Sequence, residues 1–219
     1  MRILIDSAEI AAIRQALATG FVAGVTTNPT LLRRAGVRAV GVPDLARQAL
    51  AAGARELHLQ VYAADTDSMA AEAHQLSAID AMRVVVKIPA TPDGYHAAAQ
   101  LARDGVPVTL TAVYTLRQAL LAQSVGARYI AIYLGRMRDS GLDALALAGQ
   151  MQALLGAQRA ETMILAASIR NAEEVVALGM IGIGAATLPA NLIGGLLESD
   201  ATTQAAATFH ADARALLEE

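Results

Sequence analysis

Arg83-Val84-Val85-Val86-Lys87-Ile88-Pro89 is the stretch from which the rest of the chain is read. Three valines and an isoleucine predict a short strand buried on both faces, as parallel sheets use. Lys87 sits near its end. An ammonium there loses water, and desolvation favours the neutral amine. A neutral lysine can attack a carbonyl carbon and form a Schiff base. The stretch taken alone fits better a strand-end lysine whose head group reaches solvent, since most lysines are exposed. The surrounding chain decides between the two.

Outward from this strand, short apolar segments alternate with Ala- and Leu-rich helical stretches. Strands are expected at residues 2–6, 22–26, 56–61, in the lysine stretch, and at 106–111, 128–133, 162–168 and 182–186. Ser7 reads as the N-cap of a first helix, and Thr27-Asn28-Pro29-Thr30 as a turn or helix start. Gly135 to Gly141 reads as a polar loop, and a final helix is expected over about 202–217. Strand–helix alternation of this kind means parallel strands joined by helical crossovers. Eight such units over residues 1–219 predict one α/β domain, a (β/α)8 TIM barrel with an extra C-terminal helix. No G-x-G-x-x-G follows the first strand, and no Gly-Lys-Ser/Thr marks a P-loop.

Composition narrows the functional classes. The 219 residues are 55% hydrophobic and 17% charged, which is globular and not disordered. Apolar runs are too interrupted to span a bilayer, and no signal-peptide pattern opens the chain, so a cytoplasmic protein is expected. There is no cysteine, hence no disulfide or thiolate chemistry. A net charge of −3 without a basic cluster argues against nucleic acid or an anionic membrane as partner. No His/Asp/Glu cluster has metal-ligand spacing, so neither a metal nor another cofactor is expected. No histidine shares a strand-end position with Ser168, so a Ser-His-Asp triad fails.

Side chains of barrel strands alternate between the interior and the helices, and barrel active sites form at the C-terminal strand ends. Placing Val84, Val86 and Ile88 against the helices leaves Lys87 inside. The same pattern puts Leu4 and Asp6 inside on strand one, and Gly24, Thr26 and Asn28 on one side of strand two. His58 and Gln60 face inward on strand three, Thr109 and Thr111 on strand five, and Tyr129, Ala131 and Tyr133 on strand six. Strand seven is assigned Ala166 and Ser168 inward. Asp6, Thr26, Asn28, Gln60, Lys87, Thr111, Tyr133 and Ser168 then converge on one end of the barrel.

That ring suits aldol chemistry. Lys87 supplies the amine, and Tyr133 can give and take a proton while Gln60 and Thr111 hold a water between them. Asp6 can orient the amine or substrate hydroxyls, and Thr26 and Asn28 can hydrogen-bond a hydroxyl-rich substrate. Arg136 and Arg170, with Ser168 beside them, suit a sugar phosphate. Each arginine alone also fits a surface ion pair, for instance Arg138 with Asp139. His58 reads as a satisfied core histidine.

Five ordered motifs carry a resemblance: Ala23-Gly24-Val25-Thr26-Thr27-Asn28-Pro29-Thr30, Val86-Lys87-Ile88-Pro89, Thr109-Leu110-Thr111-Ala112-Val113-Tyr114, Tyr133-Leu134-Gly135-Arg136 and Ala166-Ala167-Ser168-Ile169-Arg170. Together they resemble the small transaldolase and fructose-6-phosphate aldolase family, from Met1 to roughly Pro189. The resemblance implies Lys87 as the Schiff-base lysine, substrate contacts from Asp6 and Asn28, and phosphate contacts from Arg136, Ser168 and Arg170. It also implies a homo-oligomer, a pentamer or decamer, with the C-terminal helix packed on a neighbour. Family transaldolases carry Glu and Phe where this chain has Gln60 and Tyr133, which are the residues of the fructose-6-phosphate aldolases. Leu134-Gly135-Arg136 followed by Asp139 is similar to the short transaldolases instead. Thr109 stands where transaldolases have Asn and the aldolases an apolar residue. The resemblance thus implies cleavage of fructose 6-phosphate to dihydroxyacetone and glyceraldehyde 3-phosphate, or transfer of the dihydroxyacetone unit between sugar phosphates. A barrel that binds sugar phosphates without covalent chemistry is the remaining alternative.

Overall fold

The computed structural model describes residues 1–218. Eight parallel strands close into a barrel in sequence order. They are β1 (Arg2–Asp6), β2 (Val22–Thr26), β3 (Glu56–Gln60), β4 (Val84–Pro89), β5 (Val108–Val113), β6 (Tyr129–Tyr133), β7 (Met163–Ala167) and β8 (Ala185–Leu188). The helices are α1 (Ile10–Ala18), α2 (Pro29–Arg34), α3 (Val42–Ala51), α4 (Thr66–Ser77), α5 (Pro92–Arg103), α6 (Leu116–Ser124), α7 (Leu134–Asp139), α8 (Ala144–Ala157), α9 (Ala172–Ile181), α10 (Ala190–Gly195) and α11 (Asp200–Glu218). This is the expected (β/α)8 barrel with a helix beyond it.

Alternation along the strands builds two apolar layers. Ile5, Val25, Leu57, Leu59, Val84, Val86, Ile88 and Leu110 join the helices in the outer core. Leu4, Val85, Tyr129, Ala131, Leu165 and Ala185 fill the barrel interior. Several strand-to-helix turns end on a short polar side chain that accepts the first free backbone N–H groups of the helix. Asn28 takes Leu31 N–H, Thr91 takes Gly94 N–H, and Thr115 forms a reciprocal box with Gln118.

The structure corrects several local expectations. Ser7 does not cap α1: its hydroxyl accepts Glu9 N–H, and the helix begins at Ile10. The segment read as a polar loop is α7 for most of its length. Strand β8 starts at Ala185 and not at Gly182, because Gly182, with φ 86°, ends α9 in the left-handed region that glycine adopts without strain. Strand β7 is inverted: Leu165 lies inside and Ala166 in the outer layer. Ser168, at φ 59°, then breaks the alternation at the strand's end. Asp139 pairs with Arg170, whereas Arg138 pairs with Glu174. Side chains of residues 201–217 in α11 are exposed except for half-buried Ala206, so this helix gains little from the barrel core. Among the described residues no helix is long and apolar enough to cross a membrane.

Candidate active site

At the C-terminal end of the strands lies a cavity of about 460 Å3. Its walls include Asp6 from β1, Asn28 after β2, Gln60 from β3, Thr111 from β5, Tyr133 from β6 and Ser168 after β7. All six were expected at this end. The register explains their common level: Gln60 lies beside Lys87, and Asp6 beside Thr26.

Lys87 is only 4% exposed and does not itself line the cavity. Its amine donates to the Thr27 carbonyl at 2.8 Å. Burial pushes its pKa below the ordinary lysine range, and the Asp6 carboxylate pulls the other way without prevailing. The amine is therefore held close to the cavity with its charged form less favoured than in water.

Asp6 is fixed from below. Thr26, fully buried, donates its hydroxyl to Asp6 Oδ1 at 2.7 Å and lies 2.7 Å from the Thr187 hydroxyl. Thr26 does not reach the cavity wall; it orients a residue that does. Across the barrel, the Thr111 and Tyr133 hydroxyls are 2.7 Å apart. Burial raises the Tyr133 pKa, and the Asp6 charge adds to that against the Thr111 hydrogen bond and Arg136, so the phenol stays protonated at neutral pH. Ala112, at φ 61°, interrupts the pairing of β5 with β6 directly after Thr111. A non-glycine residue in the left-handed region costs energy and marks positions where the backbone is bent to aim a side chain.

On the β6–β7 side, Arg136 lines the cavity with its guanidinium 5.0 Å from the centre of the Tyr133 ring. Gly135 lets the two loops touch, since a Cβ there would fall 2.7 Å from the Ser168 hydroxyl and 2.8 Å from Arg170 Nε. Arg170 is turned away from the cavity wall, with Nη2 2.5 Å from Asp139 and 3.3 Å from the Gly135 carbonyl.

The family described as "Transaldolase/Fructose-6-phosphate aldolase" matches residues 3–219. The chain belongs to this transaldolase/fructose-6-phosphate aldolase family. A "Probable transaldolase" of Kosmotoga olearia is 34% identical over 209 residues, covering 95% of this chain and 94% of the relative. A "Probable transaldolase" of Desulfitobacterium hafniense is 36% identical over 212 residues, covering 97% of this chain and 98% of the relative. Among solved structures, mandelate oxidase with benzoyl-formic acid superposes with a TM-score of 0.61 at 16% identity, over 88% of this chain and 65% of that one. That likeness shows the barrel fold alone.

Thr109 lies elsewhere from the rest of the expected set. Its hydroxyl is 2.9 Å from His58 Nδ1 in the sealed barrel interior. His58 is fully buried, and its Nε2 meets Glu56 Oε1 at 3.0 Å. Burial lowers the His58 pKa more than Glu56 raises it, so the ring is neutral and donates Nε2–H to Glu56. Burial pushes the Glu56 carboxyl up, but the His58 hydrogen bond, that of Tyr129 and the charge of Arg128 bring it down to about 2. Thr109 and His58 thus belong to the floor.

Two features escaped the sequence reading. Arg34 lines the cavity from the last turn of α2, although as an exposed helix residue it carries no strand-end signature. The other was countable: of the 17 lysines and arginines, Lys87 is the only lysine.

Proposed function

We propose that this chain is a Schiff-base aldolase that reversibly cleaves fructose 6-phosphate, or a related ketose phosphate, to dihydroxyacetone and an aldehyde such as glyceraldehyde 3-phosphate. The observation that carries the reading is the chain's sole lysine, nearly sealed from water beside a cavity whose one carboxylate, among the described residues, is Asp6. Lys87 Nζ leaves the Thr27 carbonyl, a loss of about 1 kcal/mol, and adds to the ketose carbonyl carbon C2. The carbinolamine expels water and leaves an iminium. The C3–C4 bond then breaks: its electrons flow to the iminium, the C4 hydroxyl loses its proton, and the aldehyde departs. The remaining enamine takes a proton at C3, and water releases dihydroxyacetone and the free amine.

Asp6, held by Thr26, faces the developing positive charge, and Asn28 offers its amide to the hydroxyls. Arg136 and Ser168 hold the phosphate; Arg170 reaches it only by exchanging Asp139 for it. Tyr133, protonated and bonded to Thr111, with Gln60 at the same cavity, supplies the proton through a bound water or directly. Gln60 and Tyr133 favour release over transfer, because a phenol able to protonate the enamine ends the reaction before an acceptor binds. The printed names of the relatives support a second reading, transfer of the dihydroxyacetone unit to an acceptor aldehyde. One assay separates them: fructose 6-phosphate is supplied without acceptor and free dihydroxyacetone is measured. Steady release is expected; no release, with turnover restored by erythrose 4-phosphate, reverses the assignment in favour of transfer.

The exposed α11, with Phe209 69% and Leu216 76% accessible, supports packing of this helix on a neighbouring copy in a homo-oligomer.

A further inference from the structure

We infer that the N-terminal end of the barrel carries an anion site of its own, where Arg2, Arg55 and Arg128 hold a phosphate-bearing ligand. The site lies at the opposite end from Lys87 and does not depend on the chemistry there. Arg2 opens β1, Arg55 directly precedes β3, and Arg128 directly precedes β6. Far apart in sequence, they are brought by closure of the ring to one cavity of about 310 Å3. Leu4, Ala23 and Glu56 complete its wall. That volume is at the small end of ligand cavities, which run from about 300 to about 1,000 Å3.

The guanidiniums are positioned but not spent. Among the described residues, Glu56 is the one carboxylate at this cavity. Its Oε2 meets Arg128 at 3.0 Å and Arg2 at 3.3 Å, and its Oε1 is taken by Tyr129 and His58. Arg2 also donates to the Tyr129 hydroxyl at 2.6 Å, and the Arg128 guanidinium lies 5.6 Å from the centre of that ring. These contacts hold two guanidiniums in place. Their side chains nonetheless stay 46% and 40% exposed, and a guanidinium has more N–H donors than these contacts use. Arg55 is exposed and, among the described residues, has no carboxylate within ion-pair distance.

Charge identifies the ligand class. Three guanidiniums against one carboxylate leave two positive charges unmatched around a concave, partly apolar wall. A phosphate monoester, about −2 at neutral pH, matches that excess, and its oxygens fit the planar guanidinium fork. A lone carboxylate would leave one charge over.

Calorimetry with inorganic pyrophosphate, without divalent cation, tests this in the Arg136→Ala protein, which lacks the proposed phosphate grip at the other end. One binding event is expected to remain. Adding Arg55→Ala is expected to weaken it about 10–100-fold, the worth of a charge-assisted contact. Arg55→Lys should recover part of the loss. The melting midpoint of the Arg55→Ala protein without anion is expected to match that of its parent, because the side chain is exposed. Weaker binding then reads the contact and not the fold. Absence of binding in Arg136→Ala overturns the inference. So does binding that Arg55→Ala leaves intact, which places the anion elsewhere. A change of assembly size in Arg55→Ala, seen by light scattering, overturns it as well, since the arginine then serves a contact between copies.

Discussion

The interior of this barrel holds polar groups at both ends, and the two ends treat them differently. At the N-terminal end, Glu56 Oε1 accepts the Tyr129 hydroxyl at 2.8 Å and His58 at 3.0 Å, while Oε2 faces Arg128 at 3.0 Å and Arg2 at 3.3 Å. The Thr109 hydroxyl donates to the second ring nitrogen of His58. Here buried donors and acceptors meet partners supplied by the fold, as interior polar groups require. At the C-terminal end, Lys87 makes one hydrogen bond to a backbone carbonyl, and Asp6, Gln60 and Tyr133 face open space. The comparison teaches that burial alone does not make a reactive group. His58 is more deeply buried than Lys87 but saturated; Lys87 keeps bonding capacity that a substrate can use.

Four substitutions probe this contrast. Lys87→Met is expected to abolish Schiff-base turnover, by at least about 10^4-fold in kcat. The same change should raise the thermal midpoint at neutral pH, since it removes a buried amine costing about 1–3 kcal/mol. The sign follows from the depressed pKa: the folded state binds fewer protons than the unfolded one below the ordinary value of 10.5, so wild-type stability rises with pH in that window. Lys87→Met should flatten that rise in pH-resolved melting curves.

At the saturated end, Glu56→Gln should cost about 3 kcal/mol in chemical denaturation, because it leaves the partners of a buried carboxylate unmatched. The Glu56 carboxyl has a pKa near 2 against 4.5 for the free group. Its contribution is therefore fully present above about pH 4.5 and is lost as pH falls toward 2, an acid transition that Glu56→Gln should weaken. Steady-state assays should find the catalytic constants of this variant less affected than its stability; a collapse of kcat at unchanged stability would contradict the contrast between the ends.

Tyr133→Phe returns the test to the reactive end. Dihydroxyacetone release without acceptor should fall about 10^2-fold, the usual worth of a positioned proton donor, while exchange onto an added aldehyde survives. Unaltered release would remove Tyr133 from the proton path. The smallest effect is expected for Thr26→Val, which keeps the side chain's shape but frees Asp6. A loss of about 1 kcal/mol in kcat/KM, several-fold in rate, is predicted from steady-state kinetics.

Much of this was legible in the sequence, for physical reasons. Strands β1 and β2 were readable to the residue, because alternating apolar positions leave a closed barrel only one inward face. The same alternation placed Asp6, Gln60, Thr111 and Tyr133 at one end. It failed on β7, where Leu165 and Ala166 are both apolar and give no parity signal, and where the left-handed backbone of Ser168 turns the chain at the strand's end. Ion pairs between loops were beyond it: Arg170 takes Asp139 from another βα unit, 31 positions away in sequence. Likewise, Tyr129 reaches Glu56 across 73 positions, a pairing fixed by closure of the ring and not by any local pattern. Arg34 was missed because an exposed helix arginine looks like any solvated cation until the cavity it borders is seen.

The most direct test is borohydride reduction in the presence of fructose 6-phosphate, followed by mass spectrometry of the peptides. With one lysine in the chain, the site of a side-chain adduct is unambiguous. A reduced ketose or dihydroxyacetone adduct on the Lys87 peptide, absent in Lys87→Met, is the predicted result. An unmodified Lys87 peptide while fructose 6-phosphate is being turned over would contradict the covalent mechanism.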